Sequence, residues 1–431
     1  MTAAAIAERM RRSAQGAEKL LARRAPTRVL GAVPKTLGFV GETLVHRFTD
    51  TPPGGVPHPA LSAGFIAQVA MDEAILSMAM GPNRFPRRAD YERVGAELAC
   101  ARMLFEANGW LADPASYHRE PPMLDDPALA RGWAMGTSYE RLLFPSGWLP
   151  RPDEPGWQRW ATYEANATAS ATVLRHRDRP RPWVIAIHGL AMGYPMADFS
   201  GLSALRLHRE LGLNVLMPVL PLHGPRRITR ISGEAMLSFD LINALHALTQ
   251  SAWDVRRALS WVQTQEPAGI ALYGVSLGAY VASLAVGLAD GIDAVIAGVP
   301  VVDFPALFAT HAPHTIRLRG LEHEILGGTA DAVHSVVSPL LLPPKVPGDR
   351  RFIFAGMGDR MATPAQARRL WTHWEEPSTC WYAGNHVGYL WSGAVRDFLS
   401  DSLRSAGLAD ASKAQACAGP DVAAPPRAGS G

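Results

Sequence analysis

Six short apolar runs rich in Val and Ile recur between residues 183 and 386, separated by longer stretches with helical spacing. They are WVIAIHG (183–189), LNVLMPVLPLHG (213–224), IALYGVS (270–276), DAVIAGVP (293–300), RFIFAGMGD (351–359) and TCWYAGNH (379–386). Near-continuous apolarity, without the alternation of a strand that has one face in water, suits a parallel strand covered by helices on both faces. Upstream, SYERLLFPSGW and WATYEANATASATVLRH alternate more and read as antiparallel edge strands. Two edge strands followed by repeated strand and helix units predict an α/β fold with a doubly wound, mostly parallel sheet.

This sheet domain is expected over residues 136–406. Residues 1–135 read as a helical N-terminal region: HPALSAGFIAQVAMDEAILSMAM and ADYERVGAELACARMLFEANGW carry apolar residues at three- and four-residue spacing, and nothing there looks catalytic. Residues 407–431 are rich in Ala, Pro and Gly and are expected to stay disordered. Two stretches exceed what a crossover needs. MLSFDLINALHALTQSAWDVRRALSWVQTQ reads as one or two helices covering the site, and Phe304 to Pro347 as a lid insertion.

Composition narrows the function classes. In 431 residues the formal net charge is only +3, with Arg dispersed among acids, which argues against a nucleic-acid partner. Cys100, Cys380 and Cys417 are far apart and lack C-x-x-C spacing, so neither a disulfide framework nor a zinc site is expected. His311, His314, His323 and His334 match no familiar ligand spacing, and no metal or cofactor is expected. No apolar run reaches membrane-spanning length, which makes a cytoplasmic location the default. The first 28 residues hold seven basic and two acidic side chains with Ile6, Met10, Leu20 and Leu21 among them. They suit a solvated helix, with peripheral contact to an anionic membrane as the alternative. Oligomeric state is open.

In a doubly wound sheet, chemistry collects at the carboxyl ends of the strands. Those ends read His188-Gly189-Leu190, His223-Gly224, Ser276, Asp303, Asp359 and His386. Ser276 lies in GVSLG, between an apolar strand and LGAYVASLAVGLA, a helix of small and apolar residues. A strand, sharp turn and helix present a serine at a helix N-terminus, and Gly274 and Gly278 leave room where a Cβ would collide. A serine hydroxyl needs a base, and His386, on a Gly-Asn-His-Val-Gly loop, is the best placed; His188 and His223 suit loop-organising roles. The base needs an orienting acid, for which Asp359 is favoured and Asp303 is the rival; either could instead cap a helix. The Leu277 N–H is a natural oxyanion donor, and the second is most simply the Leu190 N–H in HGLAMG.

Taken together, HGLAMG, GVSLG, GDRMATP and GNHVG, in the chain order Ser, Asp, His, resemble the α/β-hydrolase superfamily over roughly residues 138–406. The resemblance implies a serine hydrolase in which Ser276 attacks an acyl carbonyl, His386 shuttles the proton and Asp359 orients it. The oxyanion roles of Leu190 and Leu277 are implied by the same motifs. The expected substrate is a small-molecule carboxylic ester or thioester. Acyl transfer or peptide cleavage on the same triad, and a non-catalytic binding protein of this fold, are the alternatives. Met192, Tyr194 and Phe304 suggest an apolar acyl or aromatic group. Arg226, Arg227 and Arg230 are candidates to hold a carboxylate or phosphate, against solvated or ion-paired arginines.

Overall fold

The computed structural model describes residues 32–48, 56–79 and 86–410. The expected N-terminal amphipathic helix and residues 411–431 of the expected tail lie outside them. A nine-stranded sheet organises the chain: β1 (Ala128–Ala134), β2 (Thr137–Pro145), β3 (Thr168–Leu174), β4 (Trp183–Ile187), β5 (Asn214–Pro218), β6 (Ile270–Val275), β7 (Ala294–Gly298), β8 (Arg351–Gly356) and β9 (Ser378–Tyr382). Its spatial order is β1-β2-β3-β5-β4-β6-β7-β8-β9. The first three strands and their junction with β5 are antiparallel, and every pair from β5 to β9 is parallel. The winding reverses between β4 and β6, so the loops that leave these two strands diverge to opposite sides and open a crevice.

Alternate residues of each central strand feed separate cores. Trp183, Ile185 and Ile187 of β4 point into one, with the helices Leu241–Gln263 and Leu277–Leu288. Val184 and Ala186 point into the other, with Leu399 and Leu403 of the helix Gly393–Ser405. Burial on both faces is why these strands read as unbroken apolar runs.

Three features depart from the sequence expectation. The sheet begins at Ala128, before the boundary at 136; β1 (ALARGWA) is an exposed edge strand whose pattern carries no buried face. The stretch expected to cover the site is a single helix, Leu241–Gln263, buried almost all round in the core, with buried polar side chains such as Gln250 and Asp254 held by hydrogen bonds and ion pairs. Residues 407–410, expected within the disordered tail, are ordered, with Leu408 buried in the smaller core. The insertion between β7 and β8 forms three helices, Phe304–His311, His314–Glu322 and Gly328–Ser335.

Ahead of the sheet stand the helices Ala32–Phe48, Ala63–Ala79 and Arg88–Ala107. The last inserts Val94, Leu98 and Phe105 into the larger core, and the second lays Phe65 and Val69 against Gly358 beside β8. Among the described residues no helix is long and apolar enough to cross a membrane.

Candidate active site

Ser276 sits between β6 and the helix Leu277–Leu288 at φ 56° and ψ −115°, a left-handed conformation that a non-glycine residue adopts only when its surroundings impose it. They do so from both sides. Its N–H donates to the Gly298 carbonyl of β7 at 2.8 Å, and its own carbonyl accepts from Ala279 and Tyr280 in the helix. The flanking glycines are sterically required: a Cβ on Gly274 would overlap the Gly278 carbonyl, and one on Gly278 would overlap the Ile187 carbonyl of β4.

The Ser276 hydroxyl donates to His386 Nε2 at 3.0 Å, and His386 Nδ1–H donates to Asp359 Oδ2 at 2.7 Å. Asp359 is buried, and its other oxygen accepts the Met361 and Ala362 N–H groups, both at 2.8 Å. Burial disfavours the imidazolium of His386. The charge and hydrogen bond of Asp359, followed by the charge of Asp72, more than offset this and hold its pKa above the ordinary histidine value. Asp303 is elsewhere: it caps the helix Phe304–His311 through the Ala306 N–H at 2.9 Å and pairs with Arg369.

The HGLAMG loop passes directly beside the serine. A Cβ on Gly189 would stand 3.5 Å from Ser276 Cβ, so Leu190 follows within one residue of the elbow, while Leu277 heads the elbow helix where N–H groups have no intrahelical acceptor. Asp198 steadies this loop by accepting the Gly193 N–H at 2.9 Å. His188 joins the loops after β4 and β5, with Nδ1–H donating to the Gly189 carbonyl at 2.8 Å and Nε2 accepting from Leu220 N–H at 3.1 Å. Burial lowers the pKa of His188 to about 4 and that of His223 to about 3, so both are neutral and act as hydrogen-bonding struts.

Other candidates are distributed differently. Arg226 is buried and ion-paired with Asp254 at 2.9 Å, which removes it from any substrate role; Arg227 and Arg230 are exposed, Arg227 donating to the Tyr194 hydroxyl. His311 and His334 each bond a backbone carbonyl, of Met361 and Leu241, and His323 stacks on Tyr91. Phe304 and Tyr280 line a cavity of about 540 Å³ that neither Ser276 nor His386 borders. Met192 packs against Gly201 and Tyr194 is partly exposed.

Sequence reasoning missed the groups that bind the acid and base loops together. Asp72, in the helix Ala63–Ala79, accepts the backbone N–H of His386 and of Arg360 at 3.0 Å each and the Asn385 side-chain amide at 2.8 Å. Gln68, one turn earlier, accepts the Asn385 N–H at 3.3 Å, and Glu73 pairs with Arg360 at 2.8 Å. The available signal was an i, i+4 polar pair, Gln68 and Asp72, within a mostly apolar helix.

Parallel strands in this order, with a strained serine between β6 and its helix, an acid after β8 and a histidine after β9, are the arrangement of the α/β-hydrolase fold. No family model matches it. It is 37% identical over 373 residues to two uncharacterized proteins from two strains of Mycobacterium tuberculosis, covering 84% of this chain and 87% of theirs, and shares their family. Among solved structures it is similar to an acetyl xylan esterase from Paenibacillus sp. R4, at 15% identity and TM-score 0.47 over 71% of this chain and 93% of that one. Acetyl xylan esterase 1 from Thermoanaerobacterium sp. JW/SL YS485 matches at 12% identity and TM-score 0.45, over 70% and 93%. A puromycin-hydrolyzing peptidase of Mycobacterium tuberculosis matches at 15% identity and TM-score 0.39, over 66% and 40%.

Proposed function

We propose that this protein is a serine hydrolase that cleaves a carboxylic ester or thioester of a small molecule through an acyl-enzyme on Ser276. The observation that carries the reading is the continuous hydrogen-bonded line from Ser276 Oγ through His386 to Asp359. His386 Nε2 takes the hydroxyl proton as Ser276 Oγ bonds to the acyl carbon, and Asp359 stabilises the imidazolium. The Leu190 and Leu277 N–H groups stabilise the oxyanion. His386 then returns the proton to the departing alcohol or thiol. A water molecule enters and gives a proton to the same nitrogen as its oxygen bonds to the acyl carbon; His386 returns that proton to Ser276 Oγ as the acyl–Oγ bond breaks and the acid leaves.

A fluorophosphonate probe reacts only with an activated serine. The wild-type protein is expected to be labelled at Ser276, and Ser276→Ala to stay unlabelled although folded. An unlabelled wild-type protein with a normal circular dichroism spectrum would overturn the reading. A panel of p-nitrophenyl esters and thioesters of increasing chain length then defines the acyl group accepted.

A further inference from the structure

Asp72 is fully buried and belongs to a helix that precedes the whole sheet in sequence, yet it reaches both loops that carry the acid and the base. One oxygen, Oδ2, accepts the N–H of His386 itself and the N–H of Arg360, the residue that follows Asp359. The other accepts the amide of Asn385. Three donors, two of them backbone groups, converge on one carboxylate across sequence separations of 288, 313 and 314 residues.

We propose that Asp72 is a positioning residue of the active site: it locks the Asp359 and His386 loops in mutual register and adds a second negative charge beside the His386 imidazole. The proposal rests on the serine hydrolase reading above. Charge-assisted bonds to two backbone N–H groups are strong and directional, so a small rotation of either loop would cost one of them. The imidazole must meet Ser276 Oγ within hydrogen-bond range, where displacements of about 1 Å can cost roughly 10²-fold in rate.

The groups around Asp72 leave its charge effective on His386. From the acid loop come Asp359 and Arg360, from the base loop His386, from β9 Tyr382, and from its own helix Glu73, whose carboxylate is paired with Arg360. Further out, His311 lies near Glu73, Arg360 and Lys35. Burial pushes the His311 pKa down and the Tyr382 pKa well up, so both stay uncharged near neutral pH. Burial and then the charge of Asp359 raise the Asp72 pKa to about 6, so the carboxylate predominates above that pH.

Two substitutions separate the clamp from the charge. Asp72→Ala removes both. Asp72→Asn can keep the clamp: the amide oxygen takes the two backbone N–H groups while its NH2 donates to Asn385 Oδ1, a buried atom without a partner, once the Asn385 amide turns over. The measurement is kcat and KM for p-nitrophenyl acetate across pH 5–9 with the full chain, alongside fluorophosphonate labelling. Asp72→Ala is expected to lose about 10²-fold in kcat/KM, mostly in kcat. Asp72→Asn is expected to stay within about tenfold of wild type at pH 8. The acid limb of its profile should move to lower pH, because His386 loses a charge that favours its protonated form. Should Asp72→Ala fail to fold, the acid limb of Asp72→Asn still decides.

Wild-type kcat/KM in a folded Asp72→Ala, or an unmoved acid limb in Asp72→Asn, with a labelled wild type, would overturn the role of Asp72 and leave the hydrolase reading intact. A wild-type protein inert to both probe and ester would overturn the two together.

Discussion

Strained backbone gathers where the strands end. Ser276 at φ 56°, Ala191 at 63°, Leu222 at 65° and Val299 at 40° are all non-glycine residues in the left-handed region, in the loops leaving β6, β4, β5 and β7. Each costs on the order of 1–3 kcal/mol and persists only where neighbours over-determine it. For β-branched Val299 the constraint is its N–H bond to the Phe354 carbonyl at 2.7 Å, which continues the β7–β8 ladder beside the Gly298 carbonyl that holds Ser276. The same residue-scale logic separates the two candidate acids. Asp359 presents one oxygen to His386 and the other to two backbone N–H groups, whereas both Asp303 oxygens are engaged in a helix cap and an arginine pair. Asp359→Asn puts an amide NH2 or a weaker acceptor against the imidazole and favours the wrong tautomer. It is expected to lower kcat by about 10⁴-fold. Asp303→Asn should leave kcat within about threefold and cost at most about 1 kcal/mol of stability through the cap. Steady-state ester hydrolysis by the two variants checks the ranking.

Elements differ in how much of them sequence can reveal, and the reasons are physical. The parallel strands β4 to β8 were legible because burial on both faces forces unbroken apolar runs, and the ends of β6, β8 and the partly buried edge strand β9 pointed to Ser276, Asp359 and His386. Strand β1 was not, since an exposed edge places no demand on its side chains. Asp72 was hidden because hydrogen bonds across some 300 residues leave no local pattern, only a few polar residues in a mostly apolar helix. For Arg226 the sequence left a substrate role and an ion-paired role open, and the structure gives the second. In HGPRRITR it looks like its solvent-facing neighbours, yet it turns inward to bond the Val219 and Asn166 carbonyls and to pair with Asp254. Asp254 in turn accepts from Ser146 at 2.6 Å, which joins the loop after β5, the helix Leu241–Gln263 and the end of β2 in one buried network. Arg226→Ala would strand a buried carboxylate and two carbonyls. It is expected to lower unfolding free energy by about 3–5 kcal/mol, read as a fall in the urea midpoint. An equally destabilising Arg227→Ala would refute this element-level account, because Arg227 is exposed.

At the scale of the whole molecule, the helices ahead of the sheet are built into the same structure as the candidate active site. The helix Arg88–Ala107 contributes Tyr91, Val94, Leu98, Ala101 and Phe105 to the core that also contains Leu277 and Tyr280 of the elbow helix. Its outer side is tied to the sheet domain by ions: Arg159 bridges Glu97 at 2.8 Å, and Arg93 bridges Asp240 at 2.8 Å, where Asp240 caps the helix Leu241–Gln263. An appended module would keep its own core and melt separately. A segment that shares the core has no stable structure to retain once the sheet unfolds, so helix and sheet should unfold in one transition. Leu98 tests this, being fully buried in the shared core and remote in sequence from every strand. Leu98→Ala is expected to cost about 2–5 kcal/mol, the range for a leucine truncated in a packed interior. The loss should appear as a shift of the single global urea transition, with tryptophan fluorescence, far-ultraviolet circular dichroism and ester hydrolysis falling together. An early partial transition that left hydrolysis intact would instead make the helix an independent unit, and the shared core described here would not be what stabilises it.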